Sequence, residues 1–232
     1  MEYCYDEYEY LQVSNSVKRP SAYLMNPSER FTDREFEARY RMRKVTVNFI
    51  VEQFDHRRRR CNAVPSIIQL TVTLRFYATG TYQSAIADLH GIDRTTVCKI
   101  IKHVSRELAK LSQKSVSFPR DLVTVKTEFK ELSRISNIIG AVDGTQVRVQ
   151  SPGGENAAKF VNRKGYYSLI VQAVVGPNYQ FFDLVCRWPG STHDAMIYRN
   201  SRIKEKLDNG IVDGILLGDS GYPCSKNLLT PE

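Results

Sequence analysis

The clearest chemistry in this 232-residue sequence belongs to two aspartates. Asp143 interrupts an apolar run over residues 138–149 (IIGAVDGTQVRV) that reads as a buried β-strand, with Ile138, Ile139, Ala141 and Val142 before it and Val147 and Val149 after it. An ionised carboxylate in such a strand carries a desolvation cost unless something compensates it, and a cation is one such compensation. Asp219 follows a second short apolar run, Ile215–Leu217, where that run meets a Ser-Gly-Tyr-Pro turn. Two acids at strand ends, set side by side in one sheet, make an oxygen-only site of the kind that Mg2+ or Mn2+ prefers. Each acid also has an ordinary structural explanation. Asp143 can accept from the backbone donors of Gly144-Thr145, and Asp219 can be the Asx residue of the Ser220-Gly221 turn.

A second group of residues surrounds these acids. Ser191 and Asp194 stand at capping-box spacing, so Asp194 either satisfies a helix N-terminus or joins the other two acids at a metal. Arg163 and Lys164 either contact a phosphodiester or form a solvated basic turn before Gly165.

The acids become neighbours only if the elements between them fold back. Residues 167–175 read as a strand, Gly176-Pro177-Asn178 as hairpin punctuation, and residues 179–187 as an antiparallel return. Trp188-Pro189-Gly190 ends that strand, and a helix from Ser191 to about Leu207, with Met196, Ile203 and Leu207 inward, precedes the Asp219 strand. A three-strand meander followed by a helical crossover sets the fourth strand beside the first, in parallel. That order is the opening of a ribonuclease-H-like fold and places the chain in the α+β / α/β class.

The first half is helical. Thr32 to Glu35 fits a capping box, and apolar positions from Phe36 to Phe54 follow at helical spacing, with a break near Asn48 or none. Three helices are expected between Ser66 and Leu111. Ile67, Leu70, Leu74 and Tyr77 line the first; Ala85, Ile86 and Leu89 line the second; and Val97, Ile100, Ile101, Val104, Leu108 and Leu111 line the third, which Asp93 caps. This is a helix-turn-helix-like pattern whose exposed Arg94, Thr95, Thr96, Lys99, Lys102 and Arg106 suit DNA contact, or else a basic three-helix packing unit. A further helix over residues 117–133, with Phe129 and Leu132 packing, delivers the chain to Ile138.

Charge follows the same division. The net formal charge is +8, and residues 30–136 carry 21 basic against 11 acidic side chains, a concentration that favours a polyanionic partner. The cluster His56 to Arg60 (HRRRR) is either a phosphate grip, a nuclear-import signal or a solvated linker. Five scattered cysteines (Cys4, Cys61, Cys98, Cys186, Cys224), with no CxxC pair, read as reduced thiols. No apolar run is long enough to span a bilayer and none resembles a signal peptide, so an intracellular chain without a membrane partner is expected. Three regions result: a flexible N-terminal arm over 1–28, a helical DNA-binding region over 29–136, and a sheet-bearing domain over 137–232.

Four blocks, VDGT (142–145), NRKGYYS (162–168), WPGSTHDA (188–195) and LGDSGYP (217–223), resemble in that order those of Harbinger-type transposases and the nucleases derived from them. The resemblance runs from about Arg39 to Glu232. It implies a metal-dependent DDE-type endonuclease fold that acts on DNA in the nucleus, or also in the cytoplasm, and a Myb-like DNA-binding partner protein. On that pattern Asp143 is the first catalytic acid and Asp219 the second. The third, a glutamate on a later helix, has no match, because neither Glu205 nor Glu232 fits its place. The expectation is therefore a truncated domain that lacks a fifth strand and leaves the Asp219 strand as an open edge. Two functional readings stand: a metal-dependent nuclease, and a non-catalytic derivative acting as a DNA- or protein-binding module.

Overall fold

The computed structural model describes residues 26–54 and 64–231. Most of the expected arm, the HRRRR cluster, Cys4, Cys61 and Glu232 lie outside the described residues. The chain divides into two compact units between Leu111 and Ser112, and each has its own apolar core.

In the first unit, α1 (Pro27–Arg30) is capped by the Asn26 side chain, which accepts from the Ser28 amide at 3.0 Å. The expected capping box opens α2 (Asp33–Tyr40): Thr32 Oγ1 accepts from the Glu35 amide, and the Glu35 carboxylate accepts from the Thr32 amide at 2.9 Å. The expected break near Asn48 lies instead at Arg41, which takes a left-handed conformation (φ 56°) and donates its amide to Glu37 O at 2.8 Å. A separate α3 (Lys44–Glu52) follows.

Three helices come next: α4 (Ser66–Thr79), α5 (Gln83–His90) and α6 (Arg94–Ser115). Gly80 and Gly91 end the first two in the left-handed conformation that suits glycine. The inward face of α5 differs by one position from the expected one. Ile86, Ala87 and His90 are buried, whereas Ala85 and Leu89 are exposed, because the helix starts at Gln83 and its packing stripe is set by α4 and α6 rather than by its own short pattern. On α6 the buried Val97, Ile100, Ile101 and Val104 are as expected. Asp93 Oδ1 caps the helix, accepting from the amides of Thr95 (2.8 Å) and Thr96 (3.3 Å).

The second unit begins with α7 (Leu122–Ser133). It starts later than residue 117 because Asp121 is the cap, accepting from the Val123 amide at 2.9 Å. Val125 and Phe129 are its buried residues, while Leu132 is exposed. They pack with Ile138, Ile139, Val142, Val174 and Leu216 over a five-stranded sheet of order β3-β2-β1-β4-β5. Strands β1 (Ile138–Arg148), β2 (Ser168–Val175) and β3 (Phe181–Pro189) are the expected antiparallel meander. β4 (Ile215–Leu217) lies beside β1 in parallel.

Two expectations are corrected here. The single helix over 191–207 is two: α8 (Asp194–Arg199) and α9 (Arg202–Asp208). Ser201 makes the break by donating to Tyr198 O (2.7 Å) and accepting from the Lys204 amide (3.2 Å), and Ile197 and Tyr198 rather than Met196 point inward. The Asp219 strand is also no open edge. β5 (Leu228–Leu229) pairs with β4 in parallel, so that Leu216 is opposite Leu228 and Leu217 opposite Leu229. Two paired residues are too few to show alternation, which hid this strand in the sequence.

Candidate metal centre

The strand ladder sets the position of both principal acids. Within the β1–β4 pair, Ala141 is the partner of Leu217, so Asp143 and Asp219 each stand two residues beyond a shared rung, Asp143 in the middle of the longer β1 rather than at a strand end and Asp219 just past the end of β4. The expectation that Asp143 is buried is overturned. The strand alternates, with Val142 2% exposed and facing the core while Ala141, Asp143 and Thr145 face outward, and Val147 is 45% exposed. The desolvation cost inferred for Asp143 is therefore absent. Its Oδ1 accepts from the Gly144 amide at 2.7 Å. Asp219 is also exposed and makes the Asx turn, Oδ1 accepting from the Gly221 amide at 2.9 Å. Both local acceptor roles are thus real, and both carboxylates remain open to solvent.

Asp194 is the third acid. It opens α8, but His193 occupies the N-cap position and no side-chain capping bond forms, so the Ser191–Asp194 capping box does not exist. Its half-buried carboxylate instead lies against β1 at Gly144. A Cβ on that glycine would stand 2.0 Å from Asp194 Oδ1, so only glycine admits the carboxylate here. Burial raises the Asp194 pKa, and the negative charges of Asp219 and Asp143 raise it further against the opposing effects of Arg163 and His193. Asp194 is therefore within electrostatic reach of both other acids and of Arg163.

Tyr222 lies within electrostatic reach of all three acids. It is 3% exposed, stacks edge-on against Tyr198 with centroids 6.0 Å apart, and donates its hydroxyl to Gln172 Oε1 over a long 3.4 Å. Burial first, then the charges of Asp194, Asp143 and Asp219, push its phenol pKa well above the usual range. A polar network holds the surrounding loops. Asn162 Nδ2 donates to Ser168 Oγ (3.0 Å), Ser168 Oγ donates to Gln146 Oε1 (2.6 Å), and Gln146 Nε2 donates to Gly190 O (3.1 Å). Asn162 Oδ1 also accepts from the Lys164 and Tyr166 amides, which fixes the loop that carries Arg163 and Lys164. The sequence reading missed Tyr222, Asn162, Ser168, Gln146 and Gln172. The available signal was Ser168 and Gln172, polar residues at the inward positions of an otherwise apolar alternating strand.

Arg163 and Lys164 are exposed in the second unit, and Arg94, Thr95, Lys99, Lys102 and Arg106 are exposed along α6. The Thr95 hydroxyl donates to Asp93 Oδ1 at 2.5 Å, so Thr95 is part of the helix cap.

Among the described residues no three His, Cys, Asp or Glu side chains form a ready-made metal-ligand cluster. The donor chemistry nevertheless fits a hard divalent cation. All the candidate donors are carboxylate oxygens, two of the acids stand exposed two residues beyond a shared rung of neighbouring strands, and the third is disfavoured as an anion by burial first and then by the other two. Mg2+ retains several waters and is bound through one or two protein carboxylates together with substrate phosphates, a share that two acids can supply.

A fold and site of this kind define a class. Residues 142–232 match the DDE superfamily endonuclease family. The chain is 30% identical to HARBI1 of Rattus norvegicus, a protein provisionally named as a nuclease, over 176 residues that make up 74% of this chain and 50% of the relative. HARBI1 of Mus musculus is 28% identical over 208 residues, 86% of this chain and 59% of the relative. Protein ALP1-like of Arabidopsis thaliana is 28% identical over 178 residues, 70% of this chain and 44% of the relative. No solved structure matches. These similarities support a Harbinger-transposase-derived, nuclease-like chain. It spans about half the length of the curated relatives it matches.

If the three acids share one electrostatic site, removing one charge must lower the pKa of Asp194. NMR titration of side-chain carboxyl carbons should show a lower Asp194 pKa in Asp219→Asn and in Asp143→Asn than in the wild-type chain. An unchanged Asp194 titration in both variants would separate it from the other acids.

Proposed function

We propose that the second unit is a ribonuclease-H-like DDE-type site for divalent-cation-dependent cleavage of DNA phosphodiesters, in which Asp143 and Asp219 hold Mg2+ or Mn2+ and Asp194 adds a further carboxylate. The observation that carries this reading is the register that sets Asp143, in β1, and Asp219, just past β4, each two residues beyond the shared Ala141–Leu217 rung. The sheet order, with β1 central between an antiparallel meander and a parallel β4, supports the fold assignment. DDE-type endonucleases generally use divalent metals, which supports the cofactor.

In this reading the cation, when bound, supplies Lewis-acid stabilisation of charge on the phosphodiester oxygens. Asp143 and Asp219 need no rearrangement to meet solvent, since both are exposed and each keeps an oxygen committed to a backbone amide that fixes its direction. Gly144 leaves room for Asp194 against the strand, and the buried Tyr222 lies within electrostatic reach of the acids. Arg163, whose charge acts on Asp194, is suited to neutralise a phosphate beside the acids, and Lys164 follows on the same fixed loop. Duplex DNA is held by the exposed Arg94, Thr95, Lys99, Lys102 and Arg106 of α6, a helix-turn-helix-like arrangement. The chain acts in the nucleus with a Myb-like DNA-binding partner protein. Exclusion of a tagged chain from nuclei, or failure of such a protein to co-purify with it, would remove the corresponding part of the proposal.

Calorimetric titration with Mg2+ and with Mn2+ should show saturable binding to the wild-type chain that is abolished in Asp143→Asn/Asp219→Asn. Supercoiled-plasmid nicking should require the metal and disappear in the same variant. Equal metal binding by both proteins would remove these acids from any metal site. Metal binding without nicking would favour the non-catalytic module instead.

Changing Arg94, Lys99, Lys102 and Arg106 to Gln should weaken duplex DNA binding in a salt-dependent manner. The slope of log affinity against log salt should fall by about 0.9 for each DNA phosphate that the variant no longer neutralises. An unchanged slope would take α6 out of the DNA interface.

A further inference from the structure

The first unit holds a small cavity of about 100 Å³ whose lining includes Arg30, Phe31, Arg39, Tyr40, Arg75 and His90. These residues come from separate elements, with Arg30 on α1, Arg39 on α2, Arg75 on α4 and His90 at the end of α5. The guanidiniums are held in place. That of Arg39 lies over the Phe31 ring at 4.4 Å and that of Arg30 at 5.2 Å, while Arg75 Nη1 donates to Arg39 O at 3.0 Å. Among the described residues no carboxylate lies within ion-pair distance of any of the three. Among the described residues, like charges line this cavity without a counter-ion.

His90 is the second observation. It is 7% exposed, and its Nε2 is fully buried with no hydrogen-bond partner among the described residues. Burial, helped by the charges of Arg75 and Arg30, holds its pKa down to about 4, so the imidazole is uncharged at neutral pH. A buried, unpartnered ring nitrogen is costly in the free protein, and the three guanidiniums that share its cavity lack a carboxylate partner among the described residues. One oxyanion relieves both. Guanidinium groups present planar donor forks that match phosphate oxygens, and donors arriving from three helices suit a tetrahedral anion better than a flat carboxylate. A phosphate monoester offers three free oxygens and a charge of about −1.5 to −2 at pH 7.

We propose that this cavity is a phosphate-monoester site, with Arg30, Arg39 and Arg75 donating to the phosphate oxygens and His90 Nε2 at its inner wall. It is separate from the carboxylate site of the second unit and does not depend on that reading. The phosphate can come from a small soluble phosphate or from the terminal phosphate of a nucleic-acid strand, and the same chemistry would hold either.

The test uses the whole chain and inorganic phosphate as the probe, at constant ionic strength. Calorimetry should show saturable binding to the wild-type chain, and the Arg30→Gln/Arg39→Gln variant should bind about tenfold more weakly or worse, given the strength of charge-assisted hydrogen bonds. Both arginines are exposed, so the variant leaves the core intact. The His90 ring resonances should shift with the same saturation in the wild-type chain. No shift at His90, or equal affinity in the variant, would overturn the site. A short 5′-phosphorylated duplex that displaces inorganic phosphate where its 5′-hydroxyl counterpart does not assigns the site to strand ends. Binding of inorganic phosphate with no displacement by either duplex assigns it to a small soluble phosphate.

Discussion

The second unit depends on one pairing, that of β4 with β1. It is short, and it is held from several directions. The Ile215 amide donates to Asn137 O, the Leu216 amide to Asn227 O and the Gly218 amide to Leu229 O, each at 2.9 Å. Ile138, Ile139 and Leu216 are fully buried around it, and each such side chain contributes roughly 1.5–3 kcal/mol of transfer free energy. Gly214, at φ 152°, is where the chain enters β4. A Cβ there would stand 2.3 Å from Ile139 Cγ2, so the close approach of this segment to β1 requires a glycine. Slide or break this pairing and Asp219 leaves Asp143, and β5, which joins the sheet only through β4, leaves with it; α7 and the meander would remain, but the site would not.

Bringing these acids together has an electrostatic cost, and it falls on their neighbours. Asp143 and Asp219 stay exposed, where water screens them. Asp194 and Tyr222 are more enclosed, and burial first, then the charge gathered around them, raises their pKa values. The hydrogen-bonded chain Asn162–Ser168–Gln146–Gly190 holds the loop that carries Arg163 and the loop that leads to Asp194 in fixed relation to the sheet. Acids are thus placed by strand register, and their surroundings by a buried polar network.

Much of this was legible in the sequence. The Thr32–Glu35 capping box, the Gly176-Pro177-Asn178 hairpin and the return of β4 beside β1 follow from local turn chemistry and from the handedness of crossovers. Other features depend on partners distant in sequence. The run around Asp143 reads as apolar on both faces, but only one face is covered, and that is decided by α7 packing rather than by residues 138–149. The break at Ser201 and the two-residue β5 arise from single hydrogen bonds and single rungs, which leave no periodic trace. Tyr222 reads as a turn residue until the fold buries it against Tyr198 and Gln172, within electrostatic reach of three carboxylates.

The central claim is that Asp143 and Asp219, joined by the β1–β4 pairing, hold one divalent cation. Paramagnetic broadening by substoichiometric Mn2+ in NMR spectra of the whole chain tests it most directly, because broadening falls steeply with distance from the ion. The account predicts that signals of Asp143, Gly144, Asp194 and Asp219 disappear first and together, and that excess Mg2+ restores them. Broadening that begins elsewhere, or that spreads evenly over the acidic surface, would contradict it.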